Sequence, residues 1–111
     1  PEDKRVMDVS PVERSKAMKN EVEIEGLRQS SIRDSAAICE VFAHLEAHLK
    51  DPEAGPLDEV EAAKQIHEAR SKKELFVDDS FPTISSVGSN AAIIHYHPEP
   101  GKCKTLTTDQ V

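Results

Sequence analysis

Residues 76–98 of the chain read FVDDSFPTISSVGSNAAIIHYHP. A run of β-forming residues is followed by the turn residues 87–90, and then by a second apolar run. This order predicts an antiparallel β-hairpin over about residues 81–96. The second strand ends on His95, an ionisable ring that stands directly behind four apolar residues.

Three helices are predicted before this hairpin. In the second helix, apolar residues that include Leu27, Ile38 and Phe42 recur three or four positions apart, as on one face of an amphipathic helix. Each helix follows a residue type that caps helix N-termini. The predicted helices are residues 11–19 behind Ser10, 21–49 behind Asn20 with Glu23, and 58–73 behind Asp58 with Glu61. Helices followed by strands predict an α+β fold.

The composition restricts the classes of partner. The 111 residues carry a net charge of −7, whereas a nucleic-acid-binding protein needs a basic surface. No stretch approaches the ~20 apolar residues of a membrane span, and the charged first residues do not resemble a signal peptide. We expect a cytoplasmic protein without nucleic-acid or membrane partners, with Cys39 and Cys103 as reduced thiols.

Two histidines four positions apart suggest a metal site. His44 and His48 share one face of the predicted second helix, as zinc ligands do in some proteases. Glu46 lies ~200° around the helix from His44, so it cannot activate a water bound between the two rings. No third ligand is evident, and we interpret this face as solvated.

The histidines of the hairpin give a weak metal signal. His95 and His97 alternate by two, but Pro98 places His97 in a loop. Ser85 and Ser86 lack the glycines of a nucleophile elbow. From the residues alone, His95 is interpreted as a hydrogen-bonded core residue, and the chain as an acidic α+β domain or fragment.

The order of two motifs changes that interpretation. Residues 16–46 read KAMKNEVEIEGLRQSSIRDSAAICEVFAHLE. Together with residues 76–98, they resemble the Xaa-Pro aminopeptidases (aminopeptidase P) of the pita-bread metallopeptidase superfamily. The resemblance covers about residues 10–111 and departs from the family pattern at residues 30–31, where Ser-Ser replaces Ala-His. It implies a partial pita-bread (creatinase/aminopeptidase) fold, with residues 1–111 as the N-terminal part of the catalytic domain.

The resemblance also implies the chemistry of a larger parent protein. Such enzymes use two manganese ions to remove the N-terminal residue from peptides with proline in second position. Their five metal ligands follow later than Val111, so we expect no metal ligand in this chain and no activity from it alone. His95 matches the family histidine of the A-I-[IV]-H-Y motif, which contacts substrate and stabilises the tetrahedral species. The parent is expected to be a homodimer, and the fragment to self-associate through apolar faces normally covered by the rest of the domain.

Two alternatives remain open at this point. Some pita-bread proteins have lost their metal ligands and serve as peptide- or histone-binding modules without catalysis. A sister enzyme such as a prolidase or creatinase is the other alternative, although the stretch FPTISSVGSNAAIIHY, residues 81–96, fits aminopeptidase P better.

Overall fold

The computed structural model describes Lys4 and residues 8–110, which form three α-helices followed by a long segment that is mostly irregular. The other residues of the predicted 1–111 domain lie outside the described part of the chain. The elements are α1 (Pro11–Ala17), α2 (Glu21–Lys50), α3 (Glu59–Ser71) and a 3-10 helix (Gly88–Ala92). Each α-helix begins and ends within two residues of its predicted bounds. Among the described residues, no helix combines the length and apolar character needed to cross a membrane.

The three helices begin at the predicted caps. Ser10 accepts a hydrogen bond from the first turn of α1. Asn20 and Glu23 form a reciprocal capping box, in which each side chain accepts from the backbone N–H of the other at 2.9 Å. Asp58 accepts from the backbone N–H of Glu61 at 2.8 Å. Helix initiation is therefore local and readable from residue type.

The chain divides into two compact units, Pro1–Ser31 and Ile32–Val111. Within the described residues, the buried apolar side chains lie in the second unit. They are Ala37 and Val41 of α2, Leu57, Ala62 of α3, and Val87, together with Pro98. This core contains only small and medium-sized aliphatic side chains, so hydrophobic burial alone holds the second unit together weakly.

The predicted apolar stripe of α2 is wrong in part. Ile38 is half-buried, but Phe42 is 59% exposed and Leu27 is 56% exposed. The residues of α2 that are buried are instead Ala37 and Val41. The periodicity was correct, but the buried face is rotated from the large apolar residues toward smaller ones.

Ion pairs link α3 and its C-terminal end to α2. Arg70 donates through Nε to Asp34 Oδ1 at 2.6 Å and through Nη2 to Asp34 Oδ2 at 3.2 Å, which is a bidentate arrangement. The same guanidinium lies 3.6 Å from Asp79. Lys73 donates to Glu40 at 2.6 Å. Polar contacts thus supplement the small apolar core between these two helices.

The predicted hairpin over residues 81–96 is not confirmed. The described residues contain no β-strand, and their β-pairing is an isolated antiparallel bridge between Asp58 and Thr105. A strand needs a neighbouring backbone for its N–H and C=O groups. Here residues 88–92 satisfy such groups locally instead, in a 3-10 helix, and the Asn90 N–H donates to Val87 O at 3.2 Å.

Candidate functional site

His95 lies in a tight turn directly after the 3-10 helix. The N–H of Tyr96 donates to Ile93 O at 3.2 Å and closes the turn. His95 has a φ of 55°, in the left-handed region that residues other than glycine rarely adopt. Its side chain is exposed. Left-handed backbone at a non-glycine residue persists only when its surroundings hold it, and such positions concentrate at functional sites.

A buried carboxylate stabilises this turn. Glu59, in the first turn of α3, has no solvent-exposed surface. Its Oε1 accepts from the N–H of Val87 at 2.5 Å, and its Oε2 accepts from the Tyr96 hydroxyl at 2.5 Å and from the N–H of Lys104 at 3.0 Å. The amide of Asn90 lies 3.0 Å from both oxygens. An ionised carboxylate has about four acceptor positions, so its capacity is filled by protein groups.

Backbone pairing places Glu59 against the end of the irregular segment. The N–H of Glu59 donates to Lys104 O at 3.0 Å, and the N–H of Leu106 donates to Leu57 O at 2.8 Å. The bridge between Asp58 and Thr105 lies between these two bonds. The start of α3 is therefore joined to residues 104–106 by backbone hydrogen bonds and also by the side chain of Glu59.

Opposing effects set the charge state of Glu59. Burial raises the pKa of its carboxyl, but the hydrogen bond from Tyr96 and those from the other three groups lower it more, so the net pKa is below the ordinary value. The same hydrogen bond to Glu59 raises the pKa of the Tyr96 hydroxyl to about 12. At neutral pH the pair is therefore a carboxylate and a neutral phenol, the combination in which donor and acceptor match.

The other histidines considered as metal ligands are not brought together. His48 bonds the carbonyl oxygen of Gly55 at 2.8 Å, and His44 and His97 are exposed. Among the described residues, no group of three or more His, Cys, Asp or Glu side chains is arranged to hold a metal ion.

The residues around the Glu59 carboxylate were not predicted from the sequence. Glu59 follows the cap Asp58, where an acidic residue is expected simply because it suits the helix dipole. Asn90 was read as a turn residue and Tyr96 as the end of a strand. The one available signal in the sequence is that Asn90 and Tyr96 stand close to the apolar run 91–94. That signal does not indicate that these residues bond to Glu59.

Comparison with known proteins identifies relatives over most of the chain. Residues 25–111 match the sequence model of metallopeptidase family M24. A probable Xaa-Pro aminopeptidase P of Pyrenophora teres f. teres is 53% identical over 102 residues, which cover 92% of this chain and 15% of that protein. A probable Xaa-Pro aminopeptidase P of Pyrenophora tritici-repentis is 56% identical over 97 residues, which cover 87% of this chain and 16% of that protein.

A solved structure resembles the chain closely. It is the crystal structure of X-prolyl aminopeptidase from Caenorhabditis elegans, described as a cytosolic enzyme with a di-nuclear active site. The TM-score is 0.88 at 37% sequence identity, and the match covers 99% of this chain and 18% of that one. The chain thus spans less than a fifth of the length of each of these relatives.

Replacing the buried carboxylate should destabilise the chain strongly. In Glu59→Gln an amide N–H₂ faces groups that are themselves donors, and we expect a loss of about 2–4 kcal/mol in the free energy of unfolding. Glu68→Gln removes an exposed carboxylate of the same helix, and its effect should stay within about 0.5 kcal/mol. The pKa of Glu59 is lower in the folded chain than in the unfolded chain. The carboxylate therefore contributes fully to the free energy of unfolding above pH ~4.3, the ordinary pKa of glutamate. This contribution is lost as the pH falls through the lowered pKa. Urea denaturation across acid pH measures both effects, and equal loss in the two variants would contradict this role of Glu59.

The single tyrosine of the chain allows a direct titration, because there is no tryptophan to obscure it. The near-ultraviolet absorbance of phenolate should report a pKa for Tyr96 of about 12 in the folded chain and ~10 in urea. Since folding raises this pKa, the hydrogen bond from Tyr96 contributes fully to stability below pH ~10. The contribution is lost as the pH rises through about 12. Circular dichroism of the same samples monitors folding, and Glu68→Gln is the control. A folded chain that titrates near the urea value would disprove the hydrogen bond to Glu59.

Proposed function

The chain belongs to metallopeptidase family M24, and from that premise we propose that it is a segment of the catalytic domain of an Xaa-Pro aminopeptidase. Such an enzyme removes the N-terminal residue from peptides with proline in second position. The observation that carries this proposal is the 53–56% identity to proteins named Xaa-Pro aminopeptidase P. A pita-bread fold is supported by the family match and by the TM-score of 0.88 to an X-prolyl aminopeptidase.

We propose that residues outside this segment bind the metal ions of the whole enzyme. The C. elegans relative is described as having a di-nuclear active site, and we propose two manganese ions in the whole protein. The described residues offer no cluster that fits such a centre. The segment alone is proposed to be inactive, and its proposed contribution to the whole enzyme is to bind substrate and stabilise the transition state.

His95 is the residue proposed to act on substrate. A neutral or protonated imidazole donates a hydrogen bond, and a donor aimed at an oxygen that gains negative charge stabilises the transition state more than the ground state. In peptide hydrolysis that oxygen belongs to the scissile carbonyl. The exposed ring and the held left-handed turn support this role.

The location, assembly and substrates of the whole protein are also proposed. We propose a cytoplasmic, homodimeric enzyme with peptide substrates, in line with the cytosolic C. elegans relative. Large apolar side chains that include Val77 (93% exposed) and Ile94 (86% exposed) support self-association of the isolated segment. The alternative of a non-catalytic peptide- or histone-binding module gains no support from these relatives, which are named as aminopeptidases.

The isolated 111-residue chain should bind no Mn²⁺ and release no N-terminal residue from an Xaa-Pro peptide. The reason is that, among the described residues, no three metal-ligating side chains lie close enough to bind one ion. Electron paramagnetic resonance of added Mn²⁺ and an assay of released amino acid test the two statements. Turnover by the pure chain that a chelator abolishes would contradict the proposal.

In the whole enzyme, His95→Ala should lower kcat by about 100-fold, the typical effect of removing one oxyanion donor. The metal content should not change, because the imidazole is proposed to contact substrate and not metal. His97→Ala is the matched control, since that ring is also exposed and lies two residues away, and we expect kcat within twofold of the parent. Loss of metal in His95→Ala, or equal effects of the two variants, would remove His95 from the proposed role.

A further inference from the structure

The segment that carries His95 is attached to one side chain at both of its ends. Val87 lies just before the 3-10 helix and Tyr96 just after the turn, and both donate to the carboxylate of Glu59 at 2.5 Å. Asn90, inside the 3-10 helix, donates to the same carboxylate and also to the Tyr96 hydroxyl at 3.0 Å. Between these attachments, residues 91–95 are exposed, so the contacts that hold this stretch are concentrated at its ends.

Residues 91–95 depend on contacts with the rest of the chain to keep their conformation. The left-handed conformation of His95 is less favourable than a right-handed one. Ile93 and Ile94 are largely exposed and contribute little burial that could offset this difference. Without attachment, the turn would relax and the imidazole would no longer be presented from a fixed backbone.

We propose that Glu59 is a positioning residue for His95, and that its buried carboxylate, through Asn90 and Tyr96, fixes the turn that presents the imidazole to substrate. The inference rests on the proposed function of His95 and adds a second residue to it. Glu59 belongs to the first turn of α3, a regular helix, and a functional group supported from a rigid element is held more accurately than one supported from a loop.

The carboxylate suits this task because it accepts hydrogen bonds only. Two backbone N–H groups, the Asn90 amide and the Tyr96 hydroxyl all donate to it. Neutral Gln at the same position would offer one acceptor oxygen and a donor group, so it cannot accept from the same four donors. The turn is therefore expected to depend on the carboxylate itself, beyond the size of the side chain.

A double-mutant cycle in the whole enzyme tests the inference. His95→Ala, Glu59→Gln and the double variant are compared by kcat/KM, with metal content and folded fraction measured for each. If Glu59 acts through His95, Glu59→Gln alone lowers kcat/KM by about 10-fold to 100-fold by misplacing the ring. In the His95→Ala background the same change then has an effect of less than twofold, since nothing is left to position. Tyr96→Phe, which deletes one hydroxyl and keeps the ring, repeats the cycle with less risk to folding.

The outcomes separate the two proposals. If the effects of His95→Ala and Glu59→Gln multiply in the double variant, Glu59 acts independently of His95 and the inference is overturned, while the role of His95 stands. If Glu59→Gln is no worse than the exposed control Glu68→Gln, the inference is overturned as well. If His95→Ala leaves kcat/KM unchanged, the proposed function of His95 fails first and the inference falls with it.

Discussion

A buried carboxylate must be matched by donors, and the second unit of this chain is arranged around that requirement. Glu59 is fully buried. It accepts hydrogen bonds from four groups along the segment 87–104, which belong to Val87, Asn90, Tyr96 and Lys104. A buried charge without partners would be strongly unfavourable. The apolar core of the unit is small, so the irregular segment takes its place against α3 largely by satisfying Glu59 and by the backbone bonds beside it.

Local signals in the sequence predicted the helices well. The capping box of Asn20 with Glu23 and the cap of Asp58 act within four residues, so residue type alone identifies them. The buried face of α2 was harder, because Ala37 and Val41 do not stand out beside the larger Phe42. Residues 81–96 carry a strand pattern, but pattern states only a preference, and a strand also needs a paired neighbour.

The contacts that make the candidate site were beyond sequence reasoning for a different reason. The partners of Glu59 lie 28 to 45 residues away from it along the chain, and the salt bridge between Asp34 and Arg70 spans 36 residues. No periodicity or cap predicts such pairs. The motif predicts a role for His95, whereas its left-handed backbone became apparent only from the structure.

These separations bear on the order in which the chain acquires structure. Helices form from contacts within one turn, whereas closing a loop of several tens of residues carries an entropy that must be met before its bonds contribute. The helices α2 and α3 can therefore form before residues 87–106 dock. The bonds to Glu59 come from the start, the middle and the end of that segment, so all of them depend on its docking. The turn that carries His95 thus depends on contacts of long sequence separation, which we expect to form later than the helices.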